Sequence, residues 1–221
     1  MRNWRGGLFA LSAALGVILA AAPAARATRI RPGTPSFGAT FDYGTLSGDS
    51  YMARAFNHGV GGGVQVRYRM RGGWMAGVNF GEQTFQARAS ADTLDRMRAV
   101  SAGVELGRYF GPHESPVFLI FGAGVWSPTA FPAGSVSASR DQEAYEANKK
   151  DLIYLSASVG TEIFFRRTVA LGVFARGLFH RSQRLGYPYY NADKLDEIES
   201  SPTSFNREIQ LGAGLHFYVM D

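Results

Sequence analysis

The sequence predicts an all-β fold, an eight-stranded antiparallel up-and-down transmembrane β-barrel, and three observations support this prediction. Side chains alternate in character with a period of two along about eight segments of the chain, as they do in strands whose two faces meet different surroundings. The connections between these segments are alternately long and short. The segments also supply the roughly 9–11 residues that a tilted membrane-crossing strand needs.

The N-terminal residues have the features of a secretory signal peptide. Two arginines precede an almost wholly apolar stretch at 8–22, and Ala25-Arg26-Ala27 gives the small-x-small pattern of a cleavage site. An uncleaved membrane anchor is the alternative, but an apolar run of about 15 residues is short for a spanning helix, which needs about 20. We therefore expect a signal peptide over residues 1–27 and one β-barrel domain over residues 28–221.

Composition excludes several classes of protein. The chain has no cysteine, which excludes a lipidated N-terminal cysteine and a disulfide framework. The net charge falls from +5 to +2 when the three arginines of residues 1–27 are removed. No basic run is interleaved with aromatic residues, so we expect no nucleic-acid partner. No apolar stretch after the signal peptide reaches the length of a spanning helix, so a membrane crossing would use strands.

The alternation is clearest near the C-terminus. From Ile209 to Phe217 every odd position is apolar, whereas the even positions are Gln, Gly, Gly and His. Residues 100–106 repeat this pattern, with Val, Ala, Val and Leu on one face and Ser, Gly and Glu on the other. The remaining predicted strands are 37–43, 60–69, 74–81, 117–126, 153–165 and 169–180.

The connections separate a membrane barrel from a soluble sandwich, which also alternates. Predicted long connections follow the first, third, fifth and seventh strands, at 45–58, 86–95, 127–150 and 182–206. Predicted short turns follow the second, fourth and sixth strands, at 70–72, 111–115 and 166–167. Tight turns on one side and long loops on the other are typical of outer-membrane barrels. Closure follows because an open sheet edge in hydrocarbon would leave unpaired backbone groups.

The last strand carries a family resemblance. Gln210, Gly212, Leu215 and Phe217 resemble the β-signal of outer-membrane barrels: a polar residue, a glycine two positions later, then alternating large apolar residues. Family members usually end on the terminal aromatic residue, whereas here four residues follow Phe217. The chain resembles the small outer-membrane β-barrel superfamily, whose members include the outer-membrane protein X, A and W types.

This resemblance implies a location and partners. It places the protein in the outer membrane of a Gram-negative-type bacterium, with outer-membrane lipid and the barrel-assembly machinery as its partners. Aromatic residues near strand ends suit the two girdles at the membrane interfaces; the alternative is simple packing at the bases of loops. These residues are Tyr43, Tyr68, Trp74, Tyr109, Phe110, Trp126 and Phe165.

Assigning the apolar faces to lipid predicts a polar barrel interior. It directs inward Gln65, Asn79, Gln210 and the charged or titratable residues Asp42, Arg67, Glu105, Glu162, Arg176, Glu208 and His216. By height, Asp42 and Glu208 group with Arg176 near the extracellular end, and Glu105, Glu162 and His216 group with Arg67 near the periplasmic end. We expect a filled interior, because eight strands leave room for side chains and little else. A gate in a narrow conduit is the alternative, and a general diffusion porin is disfavoured on the same ground.

One segment resembles an enzyme site. His180-Arg181-Ser182 is similar to the His-x-Ser pair of the outer-membrane lipid A deacylases, in which the serine needs an adjacent base. Gln183 stands where that family has asparagine, and no glutamate follows at the family's spacing. The alternation also directs His180 inward, whereas those enzymes place the pair on the lipid-facing wall.

The sequence therefore predicts a non-enzymatic outer-membrane protein without cofactor or metal. The barrel would be a scaffold, and its long extracellular loops, above all 127–150 and 182–206, would serve binding, adhesion or envelope protection. The first alternative is a narrow conduit for small or apolar solutes, as the resemblance to the outer-membrane protein W type implies, with an apolar cleft near Trp126. A lipid A deacylase using His180 and Ser182 is less favoured, as is a soluble lipocalin-like barrel of the periplasm.

Overall fold

The computed structural model describes residues 32–48, 53, 55–88, 94–111, 116–132, 152–181 and 205–219. Residues 1–27, predicted to be a signal peptide, lie outside the described residues. Eight strands form one closed barrel, in which each strand pairs antiparallel with its chain neighbours and the first pairs with the last. The predicted fold class is therefore confirmed. The strands are β1 (Pro35–Ser47), β2 (Phe56–Arg69), β3 (Trp74–Ala87), β4 (Leu94–Phe110), β5 (Val117–Pro132), β6 (Leu152–Arg166), β7 (Val169–Arg181) and β8 (Phe205–Tyr218).

The strands are longer than the sequence predicts, because pairing continues into the predicted connections. β4 has 17 residues and β5 has 16. Gln86 pairs with Arg96, so β3 and β4 are joined by residues 88–93 rather than 86–95. That connection is no longer than residues 111–116, which join β4 and β5. Only the connections 133–151 and 182–204 are much longer than the turns at the opposite end of the barrel. We call the end where these two emerge the long-connection end, and the other the short-turn end.

The turns at the short-turn end are tight. β2 and β3 are joined through one turn of 3-10 helix, Arg71–Gly73. Gly72 and Gly73 have φ angles of +71° and +80°, values that glycine adopts without the steric penalty of a Cβ atom. Within the described ranges, no helix has the length and apolar character needed to cross a membrane.

The barrel wall is apolar on its outer face and polar on its inner face, which is the reverse of a soluble barrel. Outward side chains are large and apolar: Phe41 is 64 % exposed, Val104 61 % and Ile153 76 %. Inward positions of the same strands hold charged groups, and Glu162 and Glu208 are fully buried. The alternation in the sequence therefore separates an apolar outer surface from a polar interior.

Apolar side chains fill the two ends of the interior. Trp126, Phe56, Phe85 and Met97 belong to a buried cluster toward the long-connection end. A smaller cluster, made by Met75, Tyr109, Phe118, Ile120 and Phe174, lies toward the short-turn end. The prediction that Tyr109 and Trp126 belong to an outer girdle is wrong. Both side chains point inward, because they occupy the same alternate positions as the buried residues of β4 and β5. Tyr68, Trp74, Phe110 and Phe165 do point outward.

Candidate functional site

The barrel interior holds the residues that the sequence singled out. Of the ten residues that the sequence directs inward, eight are buried. Asn79 and Arg176 lie on the same inner face and are half-buried. Every strand except β5 supplies at least one of these groups at an inward position, so that side chains from opposite walls meet inside the barrel. The eight buried residues are Asp42, Gln65, Arg67, Glu105, Glu162, Glu208, Gln210 and His216.

Glu162 on β6 is the centre of a group near the short-turn end. One of its oxygens lies 2.7 Å from Nδ1 of His216 and accepts a hydrogen bond of 2.8 Å from the Tyr109 hydroxyl. The other accepts hydrogen bonds from Arg69, at 3.3 Å, and from the Tyr218 hydroxyl. A fully buried carboxylate needs such compensation, because an unpaired charge in a medium of low polarity is strongly destabilising.

Glu105 on β4 accepts from two arginines on different strands. Nε of Arg67 lies 3.2 Å from one carboxylate oxygen, and Nη2 of Arg176 lies 3.2 Å from the other. Asn79 donates to the same carboxylate at 3.0 Å. Arg67 also lies 3.8 Å from Glu162, which links Glu105 to the group around Glu162. We call Arg67, Arg69, Glu105, Glu162, Arg176 and His216 the lower cluster.

The structure groups Arg176 differently from the sequence analysis. Its ion pair is with Glu105, and its Nε donates to the Ser158 hydroxyl at 3.1 Å. The backbone of Arg176 lies nearer the long-connection end than that of Glu105, and the long arginine side chain extends along the barrel axis to reach the carboxylate. Strand parity gives the direction of a side chain but not its reach, so the partner of Arg176 could not be taken from the sequence.

Asp42 and Glu208 are instead bonded to glutamine side chains. Nε2 of Gln83 donates to Asp42 at 3.0 Å. Nε2 of Gln210 donates to Glu208 at 2.8 Å and to Oε1 of Gln83 at 3.2 Å. We call Asp42, Gln83, Glu208 and Gln210 the upper cluster. It lies nearer the long-connection end, and it joins β1, β3 and β8.

Three residues that form hydrogen bonds to Glu162 were not among the predicted site residues. Arg69 ends a predicted strand, Tyr109 was assigned to the aromatic girdle, and Tyr218 is one of the four residues that follow Phe217. All three point inward, and the guanidinium carbon of Arg69 lies 3.7 Å from the centre of the Tyr109 ring. Parity was the available signal, because Arg69 follows Arg67 by two residues and Tyr218 follows His216 by two.

The described part of the barrel contains a small polar cavity. Its volume is about 30 Å³, and it is lined by Asp42, Gln65, Asn79, Gln83 and Arg176, among others. This volume admits one or two water molecules. Among the described residues, no group of three or more His, Cys, Asp or Glu side chains could hold a metal ion.

His180 lies in the interior near the long-connection end. Its ring stacks on the Trp126 ring with centroids 4.3 Å apart and an interplanar angle of 20°. It is 1 % exposed, its Nδ1 lies 3.4 Å from the Asn206 amide, and its Nε2 has no hydrogen-bond partner. Ser182 lies outside the described residues. The histidine therefore faces the interior and not the outer wall where a lipid substrate would lie.

The predicted assembly segment lies on β8 with its two faces separated. Gln210 and Gly212 face inward, whereas Leu215 and Phe217 are 43 % and 50 % exposed on the outer face. β8 continues to Tyr218, whose hydroxyl bonds to Glu162. The strand thus extends past Phe217 because the next residue is part of the interior network.

The outer surface has an apolar band with a polar border. On β3 and β4 the band ends between Phe80 and Glu82, and Glu82 forms an exposed ion pair of 2.6 Å with Arg98. Gln86 and Arg96 continue the polar surface beyond it. The long strands β3 and β4 therefore rise above the apolar band by two or more outward positions.

Comparison with solved structures identifies barrels of the same fold. The chain superposes on Neisserial surface protein A with a TM-score of 0.53 and 14 % identity, over 82 % of this chain and 96 % of that one. It superposes on the outer membrane protein OprG from Pseudomonas aeruginosa with a TM-score of 0.51 and 10 % identity, over 86 % and 98 %. No family model and no curated protein matches the chain. These likenesses confirm, at the level of the fold, the predicted resemblance to the small outer-membrane barrels.

Proposed function

We propose that this chain, which has the fold of the small outer-membrane β-barrels, is a non-enzymatic outer-membrane protein with a closed lumen. In this proposal the barrel is a scaffold, and the long extracellular connections 133–151 and 182–204 carry binding, adhesive or envelope-protecting functions. The observation that carries it is the inverted wall, apolar outside and filled with paired charges inside.

The apolar outer surface supports insertion in a lipid bilayer. About two dozen large apolar side chains are 40 % or more exposed. Burying one such side chain is worth about 1.5–3 kcal/mol, so the total left exposed in water is on the order of tens of kcal/mol. Transfer of these side chains from water to hydrocarbon therefore strongly favours insertion of the barrel. The names of the two similar structures describe a surface protein and an outer membrane protein, which agrees with this location.

The contents of the lumen support a scaffold over a conduit. Ion pairs cross the interior from β2, β6 and β7, and apolar clusters occupy both ends. A cavity of about 30 Å³ among these side chains is polar and water-sized. The alternative, a conduit for small or apolar solutes, needs an apolar cleft near Trp126. That side chain is instead 1 % exposed and in contact with His180.

The orientation of His180 favours the scaffold over the lipid A deacylase as well. A deacylase needs its histidine within reach of a lipid acyl ester at the outer wall. Here the imidazole is stacked inside the barrel on Trp126. The absence of enzymatic activity stays a prediction.

Conductance in planar bilayers tests the proposal. Purified protein should insert into the bilayer and give no steps above those of a narrow, transient defect. Steady unitary conductance, or ligand-dependent protection of Trp126 fluorescence by an apolar solute, would favour the conduit. Heat-modifiability on denaturing gels tests the barrel itself: unboiled protein should run as a compact, faster band that shifts on boiling.

A further inference from the structure

We propose that the outer wall at the short-turn end binds the phosphate of an anionic phospholipid, with Arg108 and Arg71 as the cations that hold it. This inference rests on the membrane location in the proposed function, and it names the headgroup class and the side chains that would contact it. The site lies where the apolar band of β3 and β4 meets the turn between β2 and β3.

Arg108 on β4 points outward among apolar side chains. Leu106 and Phe110 are the neighbouring outward residues on its own strand. Across the sheet, Arg108 pairs with Trp74 on one side and with Leu119 on the other. All four apolar neighbours are at least 40 % exposed. A charge beside lipid is costly unless it is paired or reaches the headgroup region, so this guanidinium needs a negative partner at the edge of the lipid.

Two aromatic rings position the guanidinium. Its central carbon lies 5.8 Å from the centre of the Trp74 ring and 5.4 Å from that of the Phe110 ring. Both distances are within the roughly 6 Å over which the face of a ring attracts a cation. None of the ion pairs among the described residues includes Arg108. The rings therefore hold the cation in place without neutralising its charge.

Arg71 lies in a turn that packs against the end of β4. The 3-10 turn Arg71–Gly73 leads directly into β3. A Cβ atom added at Gly73 would come within 2.7 Å of the carbonyl oxygen of Tyr109 and 3.9 Å of Cγ of Arg108. The side chain of Arg71 is exposed in this turn. A second positive charge therefore adjoins Arg108 on the side of the turn.

The outer surface of the short-turn end carries an excess of positive charge. Four of its arginines are exposed, and none of the four forms an ion pair with another described residue. The nearest described carboxylates, those of Glu105 and Glu162, point inward and are paired with inward arginines. Glu114, which the sequence places between β4 and β5, lies outside the described residues, and one carboxylate would leave the excess in place. The four arginines are Arg71, Arg108, Arg166 and Arg167.

The surroundings of Arg108 select a lipid headgroup over a soluble anion. The exposed apolar side chains around it would lie against acyl chains, and the phosphate of a phospholipid lies where those chains end. Arginine suits this group, because its planar fork of N–H donors can bind a phosphate through two parallel hydrogen bonds. The excess of positive charge favours a headgroup with a net negative charge, such as phosphatidylglycerol, over the neutral phosphatidylcholine.

Lipid selectivity near Trp74 tests the inference. The full chain carries Trp4→Phe and Trp126→Phe, so that Trp74 is its one tryptophan, and it is folded into phosphatidylcholine vesicles. Brominated phosphatidylglycerol or brominated phosphatidylcholine then replaces part of the lipid, and the two quenching curves give the relative affinity of the two lipids beside Trp74. We expect phosphatidylglycerol to be favoured by about fivefold, the ratio that corresponds to about 1 kcal/mol for one arginine at an anionic surface. Arg108→Gln should bring this ratio close to one.

The matched control is Arg207→Gln. Arg207 is also exposed on the outer face, but it lies on β8 at the long-connection end, so its loss should leave the ratio beside Trp74 unchanged. If Arg108→Gln fails the heat-modifiability assay for folding, Arg71→Gln takes its place. Arg71 is an exposed turn residue, and its substitution should also lower the ratio.

Two results would overturn this inference alone. Equal quenching by the two brominated lipids in the parent protein would mean that this end has no preference for an anionic headgroup. A preference that survives both Arg108→Gln and Arg71→Gln would place the attraction on other charges. Absence of quenching by either lipid would instead contradict a wall that faces lipid, and it would overturn the proposed function together with the inference.

Discussion

Arg176 on β7 reaches across the lumen to Glu105 on β4, with 3.2 Å between Nη2 and Oε1. The two strands are not neighbours in the barrel, so this contact spans the interior. Glu105 also accepts from Arg67 on β2, and three strands are thereby joined at one carboxylate. This junction and the equivalent one around Glu162 place paired charges across the interior.

Glu105→Gln should be strongly destabilising. The change leaves the buried guanidinium of Arg67 and the half-buried one of Arg176 facing a neutral amide. Removing one partner of a buried ion pair typically costs about 3–5 kcal/mol. Urea unfolding in phospholipid vesicles, followed by tryptophan fluorescence, measures the loss. Glu82→Gln is the control, because its pair with Arg98 is exposed on the outer wall and should give no measurable change. Equal effects of the two variants would contradict an interior network that supports the fold.

The apolar band should reject a charge at mid-height and accept one above it. Val104 is 61 % exposed in the middle of β4, and arginine at the bilayer midplane of a barrel costs about 2–4 kcal/mol. We therefore expect Val104→Arg to lower the free energy of unfolding in vesicles by about that amount. Gln86→Arg, which lies on the polar border of β3, should have little effect. A soluble barrel would tolerate both changes equally.

The fold class and the direction of each side chain can be predicted from the sequence, because apolar and polar residues alternate between the outer face and the interior of the barrel. The inward direction of Arg67, Glu105, Glu162 and His216 comes from the same pattern. The ends of β3, β4 and β5 could not be predicted, because outside the apolar band the alternation no longer contrasts lipid with interior. Glu82 and Arg98, for example, are outward residues of paired strands, yet their polarity resembles that of a loop.

Which side chains contact each other inside the barrel could not be predicted from the sequence. Contacts such as that between Arg176 and Glu105 depend on side-chain length and on the shear of the sheet, neither of which parity reports. The position of Trp126 shows the same limit, because an aromatic residue near a strand end suits both an outer girdle and an inner apolar cluster.

We expect the effect of a glycine-to-alanine substitution on stability to depend on how closely other atoms pack against that glycine. A Cβ at Gly212 would lie 2.8 Å from Cε2 of Phe174 and 2.8 Å from the carbonyl oxygen of Phe41. Overpacking of this kind typically costs about 1–3 kcal/mol, so Gly212→Ala should shift the urea midpoint downward. Gly177 lies on the outer face of β7, and a Cβ there would meet the ring of the exposed Phe179 at an ordinary 3.4 Å. Gly177→Ala should leave the midpoint unchanged or raise it slightly, and a similar loss in both variants would contradict the packing described.

His180 should act in packing and not in lipid chemistry. His180→Phe keeps the stack on Trp126 and removes the buried Nε2 that has no partner, so stability should be retained. His180→Ala should lose about 2–5 kcal/mol, as other large-to-small changes in a core do. Mass spectrometry of lipid A from cells that express the protein or Ser182→Ala provides the catalytic test. Identical lipid A in both is expected, and deacylated lipid A dependent on Ser182 would establish an enzyme.

Fluorescence quenching by brominated lipids tests the central claim, an apolar wall facing lipid around a closed interior. The chain has three tryptophans, and without residues 1–27 it keeps two: Trp74, which points outward and is 45 % exposed, and Trp126, which is inside and 1 % exposed. Trp126→Phe leaves the outer tryptophan and Trp74→Phe leaves the inner one. In vesicles with brominated acyl chains, we expect strong quenching of Trp74 and little of Trp126. Equal quenching of both, or of neither, would contradict this claim.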